Sequence, residues 1–404
     1  MLYGPMAVSN LLHQLDSMKI ISSLWSSQNG RNLTVQILMV AAFLGLVWWL
    51  VDNTITNLTR QNVATGFGFL DNNTGFDINQ KLIAYDETSS YQRLLLVGLL
   101  NTAIVSVLGI FFATVIGFMV GLARLSDNWL VSKLAFLYVE IFRNLPLLIQ
   151  ILFWYVLLIE ILPHPRKSLA LWEVFFLNNR GLYLPWFTIL PGGGFLLWAI
   201  GLFFVGWFLV AREARKMREL TGRNRAYVRN YFIIGGVCLS GYLSLWGVPF
   251  EANLPALRGF NFRGGLSFTP EFVALLIALS LYTASFIAEI VRAGVLSVSK
   301  GQFEAAKALG LPTSVTMNKV IIPQAMRVII PPLTSQYLNL TKNSSLAAAI
   351  AYPDLVSVFA GTALNQTGQA VEIIFITMSI YLFLSLFTSF VMNIYNARVA
   401  LVEK

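Results

Sequence analysis

The chain has 404 residues, 56% hydrophobic and only 12% charged, which excludes an ordinary soluble domain and fits a polytopic membrane protein. Its net charge of +9 does not point to nucleic acid, because the basic residues are few and fall between apolar segments, where they orient a chain in a membrane. Cys238 is the single cysteine, and His13 and His164 lie far apart without metal-ligand spacing, so no intrachain disulfide and no metal site are expected. The first thirty residues lack the basic start, apolar core and small-residue end of a cleaved signal.

About 20 apolar residues suffice to cross the hydrocarbon, and eight stretches qualify. The first is Thr34 to Val51. The second, Leu94 to Leu122, follows a polar loop that carries Gly66-Phe67-Gly68-Phe69. The third runs from Lys133 to Leu162 and is interrupted at Arg143-Asn144-Leu145-Pro146, where proline removes a backbone donor and bends the helix. A connector rich in Pro, Trp and Asn leads through Pro191-Gly192-Gly193-Gly194 to segments four, Phe195 to Ala211, and five, Tyr231 to Val248. Segment six is Phe272 to Val291 and segment eight is Val371 to Met392. Segment seven, Val328 to Ile350, is the least apolar, carrying Gln336, Asn339, Lys342 and Asn343.

With the N-terminus on the cytoplasmic side, eight crossings return the C-terminus there, and nineteen of the 28 Lys and Arg fall inside against eight outside. The densest run, Arg212, Arg215, Lys216, Arg218, Arg223, Arg225 and Arg229, is then cytoplasmic and reads as an orientation signal and a contact for anionic headgroups.

Between segments six and seven, Phe303, Ala306 and Leu309 fall at helical spacing, Gly310 supplies a C-terminal stop and Pro312 blocks continuation. A helix with an apolar face outside the bilayer needs a protein partner. Glu304-Ala305-Ala306, then Gly310, then Val320-x-Ile322-Pro323 resembles the EAA loop of bacterial ABC-importer permeases, with Val320 and Ile322 as conservative departures. The resemblance implies that Glu304, Ala305, Ala306 and Gly310, with Pro323 closing the motif, rest in a groove of a cytoplasmic ATPase subunit.

Ala288-Glu289-Ile290-Val291-Arg292-Ala293-Gly294, Tyr138 to Gln150, Pro323-Gln324-Ala325 and Lys342-Asn343-Ser344-Ser345-Leu346 are similar to landmarks of polar-amino-acid permeases, in that family's order. The similarity covers residues 94–162 and 272–396. It implies an all-α type I permease core of five helices, here with an extra N-terminal helix (residues 1–93) and an inserted helix pair (residues 163–271). With Gly66 to Phe69 and Asn178-Asn179-Arg180-Gly181-Leu182, these additions resemble the larger permeases of general L-amino-acid importers. That subgroup implies broad specificity, pairing with a second related permease, an ATPase dimer that binds ATP and Mg, delivery by a periplasmic binding protein, and residence in the bacterial inner membrane. No cofactor is expected in this chain itself.

On segment six, Tyr282, Ser285, Glu289 and Arg292 form one polar stripe, and Gln336, Asn339 and Asn343 repeat the spacing on segment seven. Such groups are costly against lipid and should face protein or a watery path. For an amino acid zwitterion, Glu289 is placed to meet the ammonium, and Lys342, Asn343, Asn101 and Thr102 the carboxylate. The alternative is that Glu289 and Arg292 pair with each other. Elsewhere, Gly117-x3-Gly121 predicts close helix packing, and Glu140 with Arg143 predicts a salt pair at the helix break.

No Gly-x4-Gly-Lys-Ser/Thr run occurs, so ATP hydrolysis is assigned to another chain. An ion-gradient-driven transporter is the rival reading, but it should show repeated halves. A membrane enzyme would need a nucleophile–base cluster, which the scattered carboxylates do not offer.

Overall fold

Caps and prolines in the sequence set the start of several helices. The structure is a computed structural model that describes residues 28–60, 65–190, 193–221, 227–246 and 250–399. His13, Pro191, Gly192, Arg223, Arg225 and Lys404 lie outside these. The helices are α1 Gln28–Arg60, α2 Tyr91–Ala123, α3 Trp129–Asn144, α4 Leu147–Ile161, α5 Gly193–Thr221, α6 Tyr227–Trp246, α7 Pro270–Leu296, α8 Lys300–Ala308, α9 Thr313–Thr316, α10 Ile322–Asn343, α11 Leu364–Thr367 and α12 Ala370–Val399. Ser90, Asn128 and Thr269 each cap the helix that follows through their side-chain oxygen, satisfying amides that the helix itself cannot. Among the described residues, α1, α2, α7 and α12 are long and apolar enough to cross a membrane, and the bent pair α3–α4 makes up to five.

The chain divides into two units, residues 1–69 with 364–374 and residues 70–363 with 375–404. In the first, α1 exposes apolar residues along its length, Phe43, Trp48 and Trp49 among them, and the Glu372 carboxylate accepts from the Gly66 amide. In the second, α2 and α7 form the core. Gly117 and Gly121 allow this, because a Cβ on Gly117 would lie 2.6 Å from Ile287 Cβ and one on Gly121 2.7 Å from the Ala288 carbonyl oxygen. Lipid competes equally well for apolar side chains, so close backbone approach and the resulting dispersion contacts drive this packing. The Gly117-x3-Gly121 expectation holds, and the neighbour is α7.

The break at Pro146 turns α3 and α4 through 106°. Gln150, buried, donates to the carbonyls of Phe142 at 2.9 Å and Leu145 at 3.0 Å, replacing partners that the interrupted helix has lost. The expected Glu140–Arg143 pair does not form. Glu140 accepts from Asn144 at 3.2 Å, and the Arg143 guanidinium lies 5.2 Å from the Phe286 ring centroid, which takes it across to α7.

The all-α expectation holds for the membrane part and needs correction outside it. Strands β1 Leu169–Leu171, β2 Phe175–Asn178, β3 Gly181–Leu184, β4 Trp186–Ile189, β5 Phe250–Asn253, β6 Ala256–Arg258, β7 Asn261–Arg263 and β8 Leu266–Phe268 flank the α5–α6 hairpin. They form an antiparallel β1-β2-β3-β8 sheet, a β4-β5 ribbon and a β6-β7 hairpin. The Asn178 to Leu182 motif is the turn between β2 and β3. The Asn178 side chain accepts from the Arg180 amide at 2.9 Å, and Gly181 has φ +130° with the Phe268 carbonyl oxygen 2.0 Å from where a Cβ would stand. Side-chain turn bonding and a backbone conformation open to glycine therefore dictate this motif. Pairing of β3 with β8 joins the two ends of the insertion directly before α7.

Segment seven also differs. A π-helical stretch, Met317–Ile321, leads into α10, which ends at Asn343 and passes into a tight 3-10 stretch, Ser344–Ile350. Pro331 and Pro332 sit inside α10 and leave carbonyls one turn back without their donors. The left-handed Ala351, φ 56°, ends the 3-10 stretch, a conformation uncommon outside glycine.

Candidate functional site

The loop between α7 and α10 is built as its sequence requires. Leu311 N–H donates to the Ala306 carbonyl and Gly310 N–H to the Lys307 carbonyl, at 3.1 and 3.0 Å, with Gly310 at φ +68°. These are the two bonds of a Schellman stop with glycine in the left-handed position. Pro312 then precedes α9. Ala306 alone among the α8 residues is buried against its own chain, while Glu304, Ala305 and Gly310 are exposed. Leu309 is 77% exposed and Phe303 37%, so the two ends of the apolar stripe are open at the surface while Ala306 between them packs on the chain. Gln324 donates to Gln302 at 3.2 Å, tying the start of α10 beside Pro323 to the start of α8.

Two turns before α7 ends, Glu289 holds two cations. Arg292 Nη2 donates to its Oε1 at 2.6 Å and Nε at 3.0 Å. Arg124, the residue that ends α2, donates to the other oxygen, Oε2. The carboxylate is thus engaged on both oxygens, and the ion pair crosses between helices. The sequence pairing of Glu289 with Arg292 was legible at i and i+3, whereas Arg124 was missed. Its signal is position alone, a basic residue immediately after the Gly117 to Ala123 stretch that packs on α7.

Ser285 on the same stripe is buried and donates to the Tyr282 carbonyl at 2.6 Å. Asn101 and Thr102 are fully buried and serve the loop that follows the 3-10 stretch. Asn101 Nδ2 donates to the carbonyls of Gln80 and Pro353 at 2.8 and 2.9 Å, and Thr102 Oγ1 accepts from the Leu355 amide at 3.0 Å. Asn101 Oδ1 stays buried without a partner. On α10, Asn339 and Lys342 are exposed, Gln336 and Asn343 half-buried. Among the described residues these four side chains make no hydrogen bond or ion pair to the α7 stripe. Tyr337 joins α10 to α2 through Thr114, 2.7 Å between hydroxyls.

Residues 240–401 match the family model described as binding-protein-dependent transport system inner membrane component. The general L-amino acid transport system permease protein AapQ of Rhizobium johnstonii is 50% identical over 376 residues, covering 93% of each chain. The chain belongs to the amino-acid ABC-transporter permeases. The glutamate/glutamine/aspartate/asparagine transport system permease protein BztB of Rhodobacter capsulatus is 40% identical over 405 residues, 93% of this chain and 95% of its own. As a permease subunit the chain is a multi-pass membrane component of an ATP-driven amino-acid importer, working with a separate ATPase and a binding protein, and it carries no ATP-hydrolysing site of its own.

Proposed function

We propose that this permease imports a broad range of L-amino acids as one half of a pair with a second, related permease, in the bacterial inner membrane. AapQ, whose name carries a general L-amino-acid system, aligns along nearly the whole chain, and this length match supports the subgroup. Eight crossings with both termini cytoplasmic remain our reading, with α5, α6 and α10 crossing beside the apolar helices. Residues 94–162 and 272–404 make up the core and residues 163–271 the insertion.

The observation that carries the mechanism is the outward-facing side of α8. Small Ala305, open Gly310 and exposed Leu309 offer a close-fitting surface, and Glu304 adds a charge-assisted contact at its rim. Closure of an ATPase pair, which alone holds ATP and Mg, moves α8, and α8 moves α7, which it follows in the chain, and α10, to which it is tied by the Gln324–Gln302 hydrogen bond. Such rocking works only if nucleotide and substrate favour different states.

The open face of α10, with Gln336, Asn339, Lys342 and Asn343, is the better candidate for the substrate path, beside Tyr282 on α7. Glu289 and Arg292, already saturated by each other and by Arg124, act as positioning residues. Asn101, Thr102 and Ser285 act as structural partners of the backbone. Co-purification of the tagged full-length chain tests the assignment. An ATPase and a second permease should travel with it, and Glu304→Lys and Gly310→Asp should each release the ATPase while the chain stays in the membrane. Retention of the ATPase by both variants would remove α8 as its dock.

A further inference from the structure

Where α2 ends and α3 begins, the connecting residues close a polar cavity against α7. Its volume is about 440 Å³, and Arg124, Asp127, Trp129, Lys133, Phe136 and Arg292 line it, a size within the roughly 300–1,000 Å³ of small-ligand sites. Local bonding holds its walls. Asn128 caps α3 by accepting from the Leu130 and Val131 amides at 3.0 and 3.3 Å. The Ser132 hydroxyl donates to the Arg124 carbonyl at 3.1 Å, which fixes the first turn of α3 to the end of α2. The mouth is open, since Asp127, Trp129 and Lys133 are exposed.

The charges around this cavity do not cancel. Arg124 and Arg292 share the one carboxylate of Glu289, which leaves a positive charge over. Lys133 adds a second cation and makes no ion pair among the described residues. Its ammonium lies 5.1 Å from the Phe136 ring centroid and the Arg124 guanidinium 5.4 Å from the same centroid, so two like charges are drawn to one ring. Asp127 also makes no ion pair among the described residues. An excess of cations beside one free acid selects among ligands. A phosphate answers the cations and is repelled by Asp127. An amino acid with one carboxylate leaves a positive charge unanswered. An amino acid with two carboxylates brings one ammonium for Asp127 and two anions for the cations, and neutralises the set.

We propose that this cavity binds an acidic amino acid such as L-glutamate, with its ammonium at Asp127 and its carboxylates at Lys133 and Arg124. The inference rests on the reading of the chain as an amino-acid importer whose α2–α3 connection is cytoplasmic, the side on which imported amino acid accumulates. The site is separate from the α10 face and lies against the bridge that ties α2 to α7.

The test uses the complex with its ATPase in phosphatidylcholine nanodiscs, without the binding protein. Calorimetry reads the affinity for L-glutamate, and tryptophan fluorescence places the ligand, through a response present in the native chain and absent in Trp129→Phe. L-Glutamine lacks the second carboxylate and glutarate lacks the ammonium, so each should bind about tenfold more weakly than L-glutamate, the worth of one charge-assisted hydrogen bond. Lys133→Gln should weaken glutamate and glutarate alike by about tenfold. Asp127→Asn should weaken glutamate about tenfold without weakening glutarate, a split that general damage to the loop would not give. Glutamine or inorganic phosphate binding as tightly as glutamate would overturn the proposal. So would glutamate binding that Lys133→Gln and Asp127→Asn leave untouched, which belongs to the transport path. Loss of glutamate binding when phosphatidylglycerol replaces phosphatidylcholine would give the cavity to a lipid headgroup and overturn it too. Stimulation of ATP hydrolysis by the binding protein, measured on the native complex, reports the importer reading separately, and its absence would remove that reading whatever glutamate does.

Discussion

Arg124 at the end of α2 donates to Glu289 on α7, 165 positions later in the chain, and Arg292 holds the same carboxylate. The bridge ties two core helices together immediately before the loop that leaves the membrane. Its side chains are 12%, 28% and 31% exposed, between the surface and buried cases. Arg124→Gln should therefore cost about 1–3 kcal/mol of stability, read as a lowered thermal midpoint in nanodiscs. Glu289→Gln should lower uptake without loss of complex assembly, and should leave the KM for amino acids nearly unchanged. A raised KM with an unchanged midpoint would return Glu289 to the substrate path.

Gly310 is tested through its conformation. At φ +68° alanine pays about 1–2 kcal/mol, whereas asparagine and aspartate tolerate the left-handed region through local hydrogen bonds. Gly310→Asn should therefore keep most of its ATPase binding, and Gly310→Asp should lose it because it also brings a charge to the dock. Binding measured by pull-down separates the two, and equal loss in Asn and Asp would assign the effect to the added side chain and not to its charge.

Close approach of α2 and α7 predicts intolerance at Gly117. Its Cβ would stand 2.6 Å from Ile287 Cβ and 3.0 Å from the Ala284 carbonyl oxygen, so Gly117→Ala should destabilise by about 1–3 kcal/mol and Gly117→Val should not accumulate in the membrane. Gly301, with open space around its Cβ position, is the control, and Gly301→Ala should leave membrane levels unchanged.

Asn101 separates a structural from a binding role. Its amide holds the carbonyls of Gln80 and Pro353, and removing a donor to buried carbonyls costs about 1–3 kcal/mol each. Asn101→Ala should lower the thermal midpoint with or without amino acid present. A variant with native stability and a raised KM would contradict the structural assignment.

Much of this was legible because it depends on local chemistry. Gly310 and Pro312 announce the end of α8, Pro146 the bend between α3 and α4, and Gly117 and Gly121 a close helix contact. What was not legible depends on pairing across long sequence separation. The β3–β8 ladder joins residues about 85 positions apart, with strands of three or four residues too short for alternation to show. Arg124 and Glu289 meet only once α2 and α7 are packed, and Arg143 leaves its near neighbour Glu140 for Phe286 for the same reason. Asn101 and Thr102 look like ligand groups in a sequence, since nothing local shows that the Pro353 carbonyl and the Leu355 amide will claim them.

The central claim, that an ATPase drives amino-acid transport through this chain, is tested most directly by uptake into proteoliposomes holding the purified complex and its binding protein. Labelled L-amino acids should enter when ATP is supplied on the ATPase side, continue after ionophores collapse every ion gradient, and stop in Gly310→Asp. Uptake that persists without ATP and stops with the gradient would contradict the account.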